Sequence, residues 1–241
     1  MKTALSPVFA VQRAAERAGF DHGWLRTYHS FSFAEYVDPN NLNWGALRVF
    51  NDDTIAGSGG FPMHPHRDME IVTYVLSGEL AHRDSMGNEG VVGAGGVQFM
   101  SAGTGVRHSE YNNRADDPLH LVQMWVLPGT LGGAPSYGQR DFTIDDRRNR
   151  WLTIASGQPG VDAPIAITQR ATFKVARLEN ASLVAEFAPK RYGFLFVADG
   201  KVEANGESLG AGDAVRLFDV ERLALEGSGE LVLWDLPDAD V

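Results

Sequence analysis

Short apolar alternating runs cut by glycine pairs dominate the chain from residue 45 onward. Ile71-Val72-Thr73-Tyr74-Val75-Leu76 is rich in β-branched and aromatic residues and stops at Ser77-Gly78, the pattern of a strand entering a turn. The run from Leu119 to Leu127 alternates less cleanly and ends at Pro128-Gly129. Asp199-Gly200 and Asn205-Gly206 are two-residue hairpin signals, because Asp and Asn tolerate the positive φ that the following Gly also supplies. Helix is expected only over residues 9–18, which hold Ala14, Ala15, Glu16 and Arg17, and in a short piece at Phe33–Tyr36. The pattern predicts an all-β chain with few short helices.

The pattern also repeats. Tyr74-Val-Leu-Ser-Gly78, then Gly93-Ala-Gly95, then Val97–Met100 is matched by Phe196-Val-Ala-Asp-Gly200, then Gly210-Ala-Gly212, then Val215–Phe218. The offset between the copies falls from 122 to 117 residues, so the second hairpin is five residues shorter. A duplicated antiparallel unit of this size predicts two tandem β-barrels or jelly rolls. The expected division is 1–135 for an N-terminal barrel, 136–165 for a linker rich in Pro and Gly, and 166–241 for a second barrel.

Composition narrows the function classes. With 241 residues, 44% hydrophobic and 22% charged, the chain has the make-up of a folded globular protein. No run approaches the roughly 18 apolar residues of a membrane helix. The first ten residues carry a single charge, and Pro7 breaks their apolar patch, so no secretory leader is expected. A net charge of −10 disfavours general binding to a phosphate backbone. The run Arg147-Arg148-Asn149-Arg150 follows Asp145-Asp146 and is read as a solvated mixed-charge surface. With no cysteine, disulfides, thiolate nucleophiles, iron–sulfur clusters and cysteine zinc sites are excluded together. A cytoplasmic location is the expectation.

The histidines carry the chemistry. His64-Pro65-His66 and His108-Ser109-Glu110 are both i, i+2 pairs, a spacing that puts two side chains on one face of a strand. In a barrel one face is the interior, so two such pairs on neighbouring strands supply three imidazoles and one carboxylate to a common point. That donor set suits a transition metal, and four protein ligands leave two positions of a six-coordinate ion for substrate and a small molecule. A single His-x-His is ordinarily a surface coincidence; two inward-compatible pairs 44 residues apart are not. Among the other histidines, His82 reads as an ordinary hairpin residue, His120 as a satisfied barrel histidine, and His22 and His29 as pre-barrel residues. Gly103-Thr104-Gly105 reads as a tight turn, and Trp44, Phe61, Met100, Met124 and Trp125 as core, with one or two lining an apolar pocket.

These residues resemble a known family. Gly60–Glu70 followed by Gly78 resembles the first cupin motif, and Gly93–Gly95 through Ala102–His108 the second. More narrowly, His-Ser-Phe-Ser-Phe at 29–33, His-Pro-His-Arg-Asp-Met-Glu at 64–70 and Ser-Ala-Gly-Thr-Gly-Val-Arg-His-Ser-Glu at 101–110 resemble the pirin family, and within it the bacterial quercetin 2,3-dioxygenases. The likeness is continuous from about His22 to Gln139 and weaker beyond. It implies a bicupin with metal in the N-terminal barrel only. Counted from the glycine turns, the second copy places Glu186, Ala188, Leu225 and Gly227 where the first has its four candidate ligands, so its expected role is structural. The wider cupin pattern would take the carboxylate from Glu70, the pirin pattern from Glu110. Glu110, beside His108 on the same face, is favoured, and Glu70, roughly 13 Å further along its strand than His66, is expected behind the ligands or at the surface.

The resemblance implies a metal-dependent dioxygenase that cleaves the heterocycle of a flavonol such as quercetin with O2 and releases carbon monoxide. Its metal ligands would be His64, His66, His108 and Glu110, with Glu110 also the base. The cofactor would be one divalent transition metal, Fe(II) first, with Cu, Ni, Co, Mn or Zn as other fits. The rival class is a metal-containing, redox-sensing binding protein that modulates a transcription factor or metabolic enzyme. It needs a protein partner, for which the sequence displays no obvious patch. A cupin reaction that needs no oxygen, such as isomerisation at a non-redox metal, ranks third.

Overall fold

The computed structural model describes residues 6–239. Its first half contains β1 (Val8–Gln12), β2 (Ala18–Asp21), β3 (Leu25–His29), β4 (Leu47–Ile55), β5 (Gly60–His66) and β6 (Glu70–Ser77). There follow β7 (Glu79–Asp84), β8 (Glu89–Gly93), β9 (Val97–Ser101), β10 (Val106–Asn112), β11 (Leu119–Val126) and β12 (Ser136–Arg140). After a one-turn helix α1 (Ile144–Arg147) come β13 (Leu152–Ser156), β14 (Ile165–Ala166) and β15 (Thr172–Glu186). The chain closes with β16 (Tyr192–Ala204), β17 (Glu207–Gly210), β18 (Ala214–Phe218) and β19 (Arg222–Leu236). No helix among the described residues is long and apolar enough to cross a membrane.

The two halves repeat one strand plan. A large sheet β12-β9-β6-β11-β4-β3-β2 and a small sheet β5-β10-β7-β8 form the first barrel. In the second, β1-β18-β16-β19-β15-β13-β14 reproduces the large sheet. The long strands β15, β19 and β16 then continue, with β17, as the counterpart of the small one. The two large sheets pack face to face. Phe50, Tyr74 and Met124 meet Phe173, Phe194, Phe196 and Trp234 in one apolar cluster. Fully burying side chains of this size contributes about 1.5–3 kcal/mol each, which fastens the barrels together. Edge strands are exchanged: β12 pairs with β9 on the first barrel, whereas β1 crosses over to pair with β18 on the second.

The expected helices are not there. Tertiary pairing overrides the helix-favouring composition of residues 9–18. Val8–Gln12 is a strand, and only Ala14–Glu16 makes a single 3-10 turn. That turn is held by Asp213, which accepts from Ala14 N at 2.8 Å and Arg13 Nη1 at 3.0 Å. Phe33–Tyr36 is a tight turn closed by hydrogen bonds in both directions between its end residues, with Ala34 at φ +47°. Arg147 is not a solvated surface residue. It is buried, donating from Nε to Glu230 Oε1 at 2.7 Å, and Glu230 also accepts from the Tyr74 hydroxyl.

Candidate metal centre

The pairing of β5 with β10 sets His64 opposite His108 and His66 opposite Val106. Along β10, Val106, His108, Glu110 and Asn112 turn into the barrel and are buried, while Arg107 and Tyr111 face solvent. The i, i+2 pairs therefore do converge. The rings of His64, His66 and His108 lie with centroids 4.5–4.9 Å apart, and one nitrogen from each falls within 4.8 Å of the others. A bulge in the β5 pairing after His108 sets Glu110 opposite Phe61. Glu110 joins a second such group with His108 and His82, so His108 links the two groups.

Hydrogen bonds fix the chemistry of each donor. His64 Nδ1 lies 2.8 Å from the Pro62 carbonyl oxygen, which can only accept, so Nδ1 carries a hydrogen and Nε2 is the nitrogen that the neutral ring offers to a metal. The Glu110 carboxylate accepts from Gln98 Nε2 at 2.6 Å and from Gln123 Nε2 at 2.8 Å. Both ring nitrogens of His108 are buried with no hydrogen-bond partner among the described residues. Burial, followed by the neighbouring histidines, lowers His66 to about 4 and His108 to about 3, so both rings are neutral at pH 7. Neutral imidazole is the metal-binding form. Three imidazoles beside a carboxylate, two of them neutral and one with orphaned nitrogens, fit a divalent transition metal.

Aromatic side chains wall one side. Trp125 meets the edge of His66 at 4.8 Å and Phe33 at 5.3 Å, and Phe61 packs on Trp24 at 5.2 Å and reaches His64 at 6.4 Å. Trp44, Met100 and Met124 belong to the apolar clusters instead. Gly103, at φ +42°, makes the tight turn into β10, where an added Cβ would sit 2.0 Å from the Gly133 carbonyl oxygen.

Three residues have roles that the sequence does not advertise. Glu70 is buried and faces away from the histidines: its oxygens accept from the backbone N–H groups of Thr168 at 2.6 Å and Gln169 at 3.1 Å, on the approach to β15. It clamps the two halves together. His120 Nε2 lies 2.7 Å from Asp52 Oδ1, in the cleft between the barrels. His82 is no ordinary hairpin residue; it is buried against the candidate centre, its ring 5.3 Å from that of His108 and stacked on Tyr137 at 4.2 Å. Tyr137 comes from β12, within the stretch expected to be linker.

Known proteins agree with this architecture. The family model described as Pirin matches residues 9–126, and one described as Quercetinase C-terminal cupin domain matches residues 153–235. The quercetin 2,3-dioxygenase of Escherichia coli strain K12 is 40% identical over 230 residues, covering 94% of this chain and 98% of the relative. A pirin-like protein of Caulobacter vibrioides is 48% identical over 225 residues, covering 90% and 94%. Among solved structures, the bacterial pirin YhhW of Escherichia coli in complex with nickel(II) superposes with a TM-score of 0.89 at 38% identity, covering 96% of this chain and all of that one. A quercetin 2,3-dioxygenase of Acinetobacter baumannii, at 19% identity and a TM-score of 0.79, shares the fold. With two cupin barrels built on one strand plan and relatives of this similarity along nine-tenths of its length, the chain belongs to the pirin family.

Proposed function

We propose that the protein is a metal-dependent dioxygenase that opens the heterocycle of a flavonol such as quercetin, using one divalent metal held by His64, His66, His108 and Glu110. The observation that carries the reading is the convergence of three imidazoles beside Glu110, with both nitrogens of His108 buried and partnerless among the described residues. A divalent metal held there, iron(II) first or nickel(II), supplies Lewis acidity and a path for electrons to dioxygen. The chain's own residues do the rest. Glu110 accepts the proton of the flavonol 3-hydroxyl at a carboxylate oxygen, and the amides of Gln98 and Gln123 hold that carboxylate in place. The faces of Trp125, Phe33 and Phe61 receive a planar aromatic substrate and keep water away from it. Two ring bonds to the carbon that bore the hydroxyl break and that carbon leaves as carbon monoxide. Both oxygen atoms of O2 enter the ester product, and the proton on Glu110 returns to it.

The test is quercetin loss by absorbance, with headspace carbon monoxide read in parallel, on metal-loaded protein with and without oxygen. Oxygen-dependent loss with stoichiometric carbon monoxide is expected. Glu110→Gln should keep part of the metal and lower turnover by about 100-fold or more. Unchanged turnover in that variant would remove the base role. No turnover with iron, copper, nickel, cobalt or manganese in turn would contradict the dioxygenase reading and send the search to a protein partner.

A further inference from the structure

Strand β7 brings two buried polar residues against the candidate centre that the proposed ligand set does not use. In the pairing of β10 with β7, Asp84 lies opposite His108 and His82 opposite Glu110, and both side chains are fully buried. Asp84 is fixed by its own turn. Its Oδ1 accepts from the backbone N–H groups of Met86 at 2.9 Å and Asn88 at 3.0 Å, and its Oδ2 from Asn88 Nδ2 at 2.8 Å. Burial alone would raise its pKa; the hydrogen bonds from Asn88, His82 and Met86 outweigh that and hold it below the ordinary value, so Asp84 is ionised. Asp84 Oδ2 also lies 3.3 Å from His82 Nε2. An ionised carboxylate only accepts, so the hydrogen of this pair sits on His82 Nε2, and the neutral ring has its lone pair on Nδ1.

That Nδ1 is buried with no partner among the described residues, and the stacked ring of Tyr137, inclined by 12°, restrains the imidazole from turning away. On the other side stands His108, whose two nitrogens are equally without partners. A histidine that turns one nitrogen to a metal is left with an N–H on the other, and a buried N–H without an acceptor costs about 1–3 kcal/mol. Two imidazoles joined by an N–H···N bond of about 3 Å have centres roughly 5 Å apart. The rings of His82 and His108 are 5.3 Å apart.

We propose that His82, itself held by Asp84, positions His108: His82 Nδ1 accepts the hydrogen bond from the His108 nitrogen turned away from the metal, giving a chain Asp84–His82–His108. The proposal rests on His108 being a metal ligand. The second barrel supports it independently. There the strand facing Leu225 presents Val202 and Ala204 to the interior, both buried and apolar, so the supporting pair is missing where the candidate ligand is missing.

A hydrogen bond of this kind makes His108 a more basic ligand and favours the higher oxidation state of a bound metal. Two variants test it. His82→Phe keeps the stack on Tyr137 and removes the acceptor; Asp84→Asn keeps the size and removes the charge, and serves if the first does not fold. Nickel(II) affinity, measured by chelator competition, should fall about 10–100-fold in His82→Phe and less in Asp84→Asn. The midpoint potential of the iron-loaded protein should move positive in both, a readout that a mere packing role would not shift. Folded variants that bind nickel within about twofold of wild type, with unmoved potentials, would overturn the proposal. Wild type that binds no nickel and no iron would overturn the metal centre and this chain together. Quercetin turnover is not among these readouts, so the flavonol reading and this chain fail separately.

Discussion

The two barrels share a strand plan and differ in what fills them. Register aligns His64, His66, His108 and Glu110 of the first barrel with Leu183, Ala185, Leu225 and Gly227 of the second. In the second, Ala185, Val202, Ala204, Leu223 and Leu225 are buried together in a wholly apolar cluster. In the first, apolar clusters occupy two regions, one around Leu25, Ile55, Val75 and Leu121, the other around Ile71, Met100 and Val106. Gln98, His108 and Glu110 are buried as well, with Thr73 and Asp53. Burial drives the Asp53 carboxyl up to about 7. Buried polar groups cost stability unless they are paired, so the first barrel gives up core stability to concentrate ligating atoms while its twin keeps a hydrocarbon interior. On the proposed reading, one interior is arranged for chemistry and the other holds the first in shape.

Exchanging residues between the twins gives the largest expected effects. His108→Leu installs the residue of the second barrel at the shared member of the two donor groups. Metal affinity should fall by more than about 100-fold and turnover with it, while the fold survives, as equilibrium dialysis and circular dichroism would report. The reverse exchange, Leu225→His, should gain no metal, because Leu183, Ala185 and Gly227 supply no donors. It should instead cost roughly 2–4 kcal/mol in chemical denaturation, from an unpartnered imidazole in an apolar core. An affinity gain in that variant would show that the second interior is more than filler.

A smaller effect tests the join. Glu70→Gln leaves one of the two N–H groups of Thr168 and Gln169 facing an amide donor, and should lower stability by about 1–3 kcal/mol without changing metal content. Loss of metal in that variant would return Glu70 to the candidate ligands. The last test is titrimetric. His66 and His108, at about 4 and 3, sit below the ordinary 6.5, so the unfolded chain takes up protons before the folded one. The stability they contribute to the metal-free protein is complete above pH 6.5 and is lost as the pH falls from there toward 3. His108→Leu should make that loss shallower in denaturation series at pH 7 and pH 5; equal slopes would contradict the assignment.

Much of this was legible in the sequence, for identifiable reasons. The glycine turns at Gly78, Gly95, Gly200 and Gly212 all sit at positive φ, which is why they marked both copies of the fold. The i, i+2 histidine pairs could be placed on one face because strand alternation is strict. Counting from the turns failed for part of the second barrel. From Ala185 to the start of β16 at Tyr192 the chain runs three residues longer than from His66 to the start of β6 at Glu70, so Leu183 and Ala185, not Glu186 and Ala188, stand where His64 and His66 do; the count to Leu225 and Gly227 agrees with the strand register. His82 reads from the sequence as an ordinary hairpin residue, although His82-Arg83-Asp84 has the same i, i+2 spacing, because its partner is an anchoring carboxylate and not a second histidine. The clamp by Glu70 was invisible for a different reason: it depends on backbone atoms about 100 residues away. Residues 9–18 misled because β18, not local propensity, decides their conformation.

The central claim is that one barrel of the twin holds the metal and the other does not. The most direct measurement is the number of metal equivalents per chain, by elemental analysis after loading with nickel(II) or iron(II) and removal of excess, in wild type and in His108→Leu. The account predicts one equivalent in wild type and none in the variant. Two equivalents in wild type, or one retained in the variant, would contradict it.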